Sequence, residues 1–166
     1  MSDGRVFHAA AGGRHVLRYQ GRVDYPIAPA IERFAQGLFN GNGPTALVFD
    51  LRPASMLDST NLGLLARLAV RVGEGGGHPT IVSTNDDVTD VLRSMGLATM
   101  FQISSDDPLL HEVGPGEEIP LEPTDQRDLM RTMLEAHRVL ARIDENDSAG
   151  FRAVVEGLEA ELGPPS

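Results

Sequence analysis

The stretch ALVFDLRPASMLDSTNLGLLARLA, residues 46–69, carries the pattern on which the fold prediction depends. Its first residues form a short apolar run, typical of a strand covered on both faces. The segment RPASML then predicts a loop. From about Ser59 to Gly73 apolar residues recur at helical spacing, so we expect a helix that packs one face on a core. Asp58, Ser59 and Thr60 stand at its start, where short polar side chains are favoured.

The residues on either side continue an alternation of strands and helices. Two strands are expected in RVFHAAAGGRHVLRYQG, on either side of the turn at Gly12 and Gly13. A helix is expected in PIAPAIERFAQGLFNGNG and another in TNDDVTDVLRSMG, with short strands at TIVS and MFQIS. We therefore predict an α/β fold, a mixed sheet of four to five strands covered by helices.

The composition changes near residue 113. Residues 1–112 carry 12 acidic and nine arginine residues, whereas residues 113–166 carry 12 acidic and five arginine residues. The glycines and prolines of GPGEEIPLEPT predict a linker, and two amphipathic helices joined by the loop DENDS should follow it. The predicted organisation is an α/β domain at 1–112, a linker at 113–123 and a C-terminal α-helical hairpin at 124–166.

The two C-terminal helices carry apolar stripes that they cannot bury against each other alone and be very stable. They must therefore pack on the α/β domain, on a second copy of the chain or on a partner. Our hypothesis is that the hairpin docks on the α/β domain and widens or covers a surface that binds a partner.

Composition argues against several classes of function. The net charge of −10 disfavours nucleic acid and anionic membranes as partners, and the apolar runs are too short for membrane insertion. The chain lacks a secretory leader pattern and cysteine, which favours the cytoplasm. We find no acid/base pair, no nucleophile beside a histidine, no cofactor loop and no histidines at metal-ligand spacing. The sequence thus predicts neither an enzyme nor a bound metal or cofactor.

Two motifs resemble the STAS domain family, and in particular the bacterial anti-sigma factor antagonists. In that family a strand ends in an aspartate, and after a loop an acidic residue is followed by Ser, Ser or Thr, Gly, Leu and Gly at a helix start. The corresponding residues here are Asp58, Ser59, Thr60, Asn61, Leu62 and Gly63. Asn61 stands where the family usually has glycine. The second motif is GRVD, residues 21–24, and the order of elements is similar over about residues 5–112.

The resemblance implies a partner-switching regulator. Its unphosphorylated form would bind an anti-sigma factor, a cognate Ser/Thr protein kinase would phosphorylate Ser59, and a PP2C-type phosphatase would remove the phosphate. The residues that the resemblance assigns to partner binding are Asp24, Asp58, Ser59, Thr60, Asn61 and Leu62.

Other interpretations of the same residues stay open at this point. Ser59 could be a plain N-cap, Thr60 could be the phosphate acceptor, and Asp24 could be an ordinary turn residue. A different function is that of a cytoplasmic STAS subunit that binds a membrane transporter or a lipid-transport ATPase complex.

Overall fold

The computed structural model describes residues 3–41, 43–143 and 148–163. The strands are β1 Arg5–Ala11, β2 Arg14–Val23, β3 Ala46–Asp50, β4 Ala54–Leu57, β5 Pro79–Val82, β6 Gln102–Ser104 and β7 Glu117–Glu118. The helices are α1 Ala28–Leu38, α2 Ser59–Glu74, α3 Asp86–Ser94, α4 Pro108–Glu112, α5 Gln126–Ile143 and α6 Ser148–Leu162. All but the last residue of the predicted loop DENDS lies outside the described residues. No helix within the described ranges has the length and apolar character to cross a membrane.

The strands form one mixed sheet in the order β6-β5-β3-β2-β1-β7, with β4 beside β2. β1 and β2 are an antiparallel hairpin. Its turn is made by Gly12 and Gly13, which have φ of 55° and 80°, the left-handed conformations that a two-residue hairpin turn needs. β2, β3, β5 and β6 run parallel to one another. The predicted α/β class is confirmed, and two short strands, β4 and β7, lie beyond the expected four to five.

The prediction of RPASML as a loop was wrong for residues 54–57. β2 is ten residues long and extends beyond the end of β3. It pairs with β3 over 14–18 and with β4 over 21–23. The strand β4 therefore exists because the end of β2 offers it backbone partners, and a four-residue segment carries too short a pattern to reveal this.

Alternating residues of the strands face two different cores. The strand residues Leu17, Tyr19, Leu47, Phe49 and Ile81 belong to the main core, together with the apolar faces of the helices α1 and α2. The residues Val16, Val48 and Val82 face the other side, where they pack with Leu109 and Leu110. Both faces of the sheet centre are thus buried, which explains the continuous apolar run at residues 46–49.

A buried carboxylate closes the end of β3. Asp50 accepts hydrogen bonds from Arg18 Nε at 2.9 Å and from Arg52 Nε at 2.9 Å. Burial alone would raise the pKa of Asp50, but the bonds from Arg52 and Arg18 outweigh burial and lower this pKa below its ordinary value. The charged group fixes the backbone that leads from β3 into β4 and α2.

The C-terminal helices pack on the α/β domain. α5 contacts α2 and α1, and α6 contacts α5. Leu140 of α5 is fully buried within the main core. Within the segment predicted as a linker, β7 pairs with β1 and Ile119 is buried. Three packing partners were considered for the hairpin. The structure shows that it packs on the α/β domain of the same chain.

Candidate functional site

The sheet places Asp24 and Asp58 side by side at one edge. Val23, the last residue of β2, pairs with Leu57, the last residue of β4. The Asp58 N–H donates to the Val23 carbonyl at 3.1 Å. Each aspartate directly follows one of these paired residues, so the two carboxylates lie on neighbouring strand ends. Asp24 Oδ1 is buried and accepts no hydrogen bond from the described residues.

Asp58, and not Ser59, is the N-cap of α2. Asp58 Oδ1 accepts from the Asn61 N–H at 3.0 Å and from Asn61 Nδ2 at 2.9 Å. Ser59 is the first residue of the helix. The N-cap role considered for Ser59 was therefore wrong, because the neighbouring carboxylate of Asp58 performs it.

Ser59 Oγ instead lies 2.8 Å from Nε2 of His137 on α5. His137 Nδ1 lies 2.7 Å from the Met133 carbonyl. A carbonyl can only accept, so Nδ1 carries a hydrogen. In the tautomer with its hydrogen on Nδ1 alone, Nε2 accepts a hydrogen bond from the Ser59 hydroxyl. The half-buried hydroxyl is thus oriented by a residue from the C-terminal extension.

The three residues that follow Ser59 are buried. Thr60 is 2 % exposed, and Asn61 and Leu62 are equally inaccessible. A side chain added at Gly63 would overlap the carbonyl and Cβ of Ala136, so the backbones of α2 and α5 touch there. We refer to Asp24, Asp58 and residues 59–62 as the Ser59 surface. In this form α5 lies over part of it.

Asn61, which replaces the family's usual glycine, turns toward Asp58 and not toward the Ser59 oxygen. Its Nδ2 is satisfied by the cap, while its Oδ1 is buried without a hydrogen-bond partner in the described part of the chain. The Asn61 side chain therefore stabilises the helix start, and the Ser59 hydroxyl bonds to His137 and not to Asn61.

His137 is the site residue that sequence reasoning missed. The expectation that no nucleophile lies beside a histidine was wrong, since Ser59 and His137 share a hydrogen bond. The residues are 78 apart in the chain, and nothing in the sequence pairs them. The available signal was local: His137 lies four residues after Met133 and three before Leu140, so a polar side chain stands on the predicted apolar face of α5.

The fold and the site together define a mixed α/β domain in which a hydroxyl and two carboxylates lie at a helix start. The STAS domain family model matches residues 9–107, and the chain belongs to this family. Helices α5 and α6 lie outside the matched residues. The comparison with curated protein sequences gives no match.

Solved structures with a similar fold include anti-sigma factor antagonists. One, from Mycobacterium paratuberculosis, is 24% identical, with a TM-score of 0.56 over 63% of this chain and 87% of that chain. The anti-sigma factor antagonist SpoIIAA in its unphosphorylated form is 16% identical, with a TM-score of 0.56 over 64% of this chain and 94% of its own. The Bacillus cell fate determinant SpoIIAA in the phosphorylated form is 15% identical, with a TM-score of 0.52 over 64% of this chain and 97% of that chain.

Proposed function

We propose that this chain is an anti-sigma factor antagonist that works by partner switching. Its unphosphorylated form binds an anti-sigma factor, a cognate Ser/Thr kinase phosphorylates Ser59, and a PP2C-type phosphatase restores the free hydroxyl. The observation that carries the proposal is the hydroxyl of Ser59 at the first position of α2, beside Asp58 and Asp24, in a chain of the STAS family. We assign the switch to residues 1–112 and treat residues 124–166 as an extension joined to it by residues 113–123.

The kinase supplies the chemistry of the phosphorylation step. The Ser59 oxygen forms a bond to the γ-phosphorus of ATP, the bond to the leaving ADP breaks, and the hydroxyl proton passes to a base of the kinase. This chain needs only to present the oxygen in a fixed place. Thr60 is a poorer acceptor because its side chain is buried.

A phosphate on Ser59 changes the surface more than the fold. It adds about −1.5 to −2 charges at neutral pH. At the N-terminus of α2 this charge meets the positive end of the helix dipole, which favours it by roughly 0.3–1 kcal/mol at an exposed site. The helix should therefore stay folded. The similarity of both SpoIIAA forms to this chain supports a switch in which the α/β domain itself does not refold.

The same charge weakens contact with an acidic partner. Phosphate beside Asp58 and Asp24 concentrates negative charge at one sheet edge and adds bulk to a fitted interface. A tenfold loss of affinity requires only about 1.4 kcal/mol, so modest repulsion and a steric clash are sufficient to release the partner.

Mass spectrometry after incubation with ATP and the cognate kinase tests the acceptor. We expect one phosphate on Ser59 of the unsubstituted chain and none on Ser59→Ala. Phosphate on a different residue in the unsubstituted chain would contradict the assignment.

Binding to the anti-sigma factor tests the switch. Ser59→Ala should bind constitutively, and Ser59→Asp should bind at least about tenfold more weakly. Ser59→Asn is the matched control, because it has the shape of the aspartate without its charge and also lacks the serine hydroxyl. If Ser59→Asp and Ser59→Asn bind alike, charge is not the signal.

A further inference from the structure

Helix α5 lies directly against the first turns of α2. A methyl group on Gly63 would overlap backbone atoms of Ala136, which means that the two helices cross without an intervening side chain. The distance between packed helices depends on the side chains at the contact, and two small residues bring the backbones together. No second protein can contact this part of α2 while α5 occupies it.

The next residue of α5 engages the phosphate acceptor itself. His137 Nε2 lies 2.8 Å from Ser59 Oγ, and its ring is buried. A phosphoryl group bonded to Oγ would need the space that the ring fills. In this arrangement a docked α5 and a phosphorylated Ser59 therefore exclude each other.

Part of the docking contact is polar, and its ion pairs are partly exposed. Thr132 Oγ1 donates to Glu32 Oε2 at 3.0 Å. Arg67 of α2 forms ion pairs with Glu32 and, at 2.6 Å, with Glu135 of α5. Water weakens partly exposed ion pairs of this kind, so each adds only modestly to the docking of α5.

The packing of α5 is also incomplete. An open cavity of about 300 Å³ lies between α1, α2 and α5, with Leu64, Leu68, Val139 and Ile143 among its lining residues. Side chains at a cavity lose the contacts that would otherwise hold the helices together. The open cavity therefore leaves α5 less tightly held than a fully packed helix would be.

We propose that α5 is an intramolecular competitor for the Ser59 surface, and that it must leave α2 before a second protein can contact Ser59. The identity of the competing proteins, a kinase and an anti-sigma factor, rests on the proposed function. Because α5 is tethered, it competes at a high effective concentration. The apparent affinity of a partner equals its intrinsic affinity multiplied by the fraction of molecules in which α5 is undocked.

The labelling rate of a single introduced thiol measures how accessible position 59 is, and this experiment needs no partner protein. The chain contains no cysteine, so Ser59→Cys introduces one thiol, which a maleimide attached to polyethylene glycol labels only when it is reachable. Ser94→Cys, at an exposed position at the end of α3, is the control. We expect labelling at position 59 to be at least about tenfold slower than at position 94. Equal rates would overturn the proposal.

A substitution in α5 tests whether this helix is what blocks access. Ala136→Arg, made in the Ser59→Cys chain, should release α5 because the long side chain cannot fit against Gly63. Ala160→Arg makes the same exchange at an exposed position of α6. We expect labelling to rise about tenfold with Ala136→Arg and to stay unchanged with Ala160→Arg.

A milder second variant covers the case in which Ala136→Arg does not fold. Glu135→Lys places a positive charge opposite Arg67 and leaves the buried residues of α5 intact. Circular dichroism identifies the folded variants. Slow labelling at position 59 in a folded variant of either kind, equal to that of the parent chain, would overturn the proposal.

The kinase reaction distinguishes a failure of this proposal from a failure of the proposed function. Ala136→Arg, with Ser59 intact, should be phosphorylated on Ser59 about tenfold faster than the unsubstituted chain and Ala160→Arg. Slower phosphorylation would overturn the proposal, since α5 would then assist the reaction. If Ser59 takes up no phosphate in any chain while labelling changes as expected, the proposed function fails and the competition by α5 stands.

Discussion

At the scale of single residues, three neighbouring polar side chains have three different environments. Asp58 caps α2, Ser59 bonds to His137, and Thr60 is buried. The sequence identifies this group as a helix start, since all three residue types favour that position. It does not assign the roles, because these depend on where the backbone of β4 ends and on which helix lies above α2.

The cap gives a prediction for stability. Asp58→Ala removes a typical cap contribution of about 1 kcal/mol. It also leaves the buried Asn61 amide without its acceptor, and an unmet buried donor costs a further ~1–3 kcal/mol. We expect the free energy of unfolding, measured by urea denaturation, to fall by about 2 kcal/mol or more.

Asn85→Ala is the matched control for this prediction. Asn85 caps α3 by accepting from the exposed Asp87 N–H, so its loss should cost only about 1 kcal/mol. An Asp58→Ala chain that is as stable as Asn85→Ala would show that the Asn61 side chain finds another partner.

At the scale of elements, the crossing of α2 and α5 determines what the protein presents to its surroundings. The sequence predicts both helices from their apolar spacing, and the charge and proline pattern separates α5 from the α/β domain. Their contact at Gly63 and Ala136 cannot be read from either pattern. A glycine that admits a neighbouring backbone and a glycine that faces open space look the same in a sequence.

Two glycines of α2 make this difference measurable. Replacing a helical glycine by alanine ordinarily favours the helix by about 1 kcal/mol. Gly73→Ala should show such a gain, because nothing lies within 4 Å of the added methyl group. Gly63→Ala should instead lower the thermal midpoint or free α5, since its methyl group overlaps Ala136.

Thermal unfolding and amide hydrogen exchange of the two glycine variants check this prediction. Faster exchange across α5 in Gly63→Ala, with the strands still protected, would locate the effect at the crossing. A Gly63→Ala chain that gains as much stability as Gly73→Ala, with α5 unchanged, would contradict the contact.

At the scale of the whole molecule, the chain joins an acidic extension to a domain that is itself acidic. Local contacts oppose the overall repulsion. Arg67 lies between Glu32 and Glu135, and Leu140 of α5 enters the main core. Residues 126–143 carry four arginines and two acidic residues, so the acidic charge of the extension lies outside α5. The local contacts of α5 therefore hold an otherwise acidic extension on the domain.

A second whole-molecule property is a dependence of stability on pH. His8 Nε2 and His15 Nδ1 lie 2.8 Å apart, beside Phe34 of α1. Burial, followed by the charge of His15, lowers the pKa of His8, although Glu117 acts in the opposite direction. Burial also lowers the pKa of His15. One ring donates to the other, so the bond is lost when both are protonated.

The sign of this dependence follows from the lowered pKa values. The unfolded chain binds protons more readily than the folded one, so the contribution of the pair is complete above about pH 6.5 and is lost as the pH falls through the lowered folded pKa values. Urea unfolding between about pH 7.5 and pH 5.5 should show a decrease that is smaller in His15→Gln. The exposed His78→Gln is the control. A decrease of equal size in all three chains would contradict the role of the pair.

The sequence by itself determined the alternation of strands and helices, the α/β class and the candidate serine, because these follow from local spacing and from the residue types at one helix start. Only the tertiary structure decided that β4 is a strand, that Asp58 is the cap and that His137 bonds to Ser59. Each of these depends on atoms brought together from distant parts of the chain, 78 residues apart in the last case. Local patterns record which face of an element is apolar, but they do not record which element covers it.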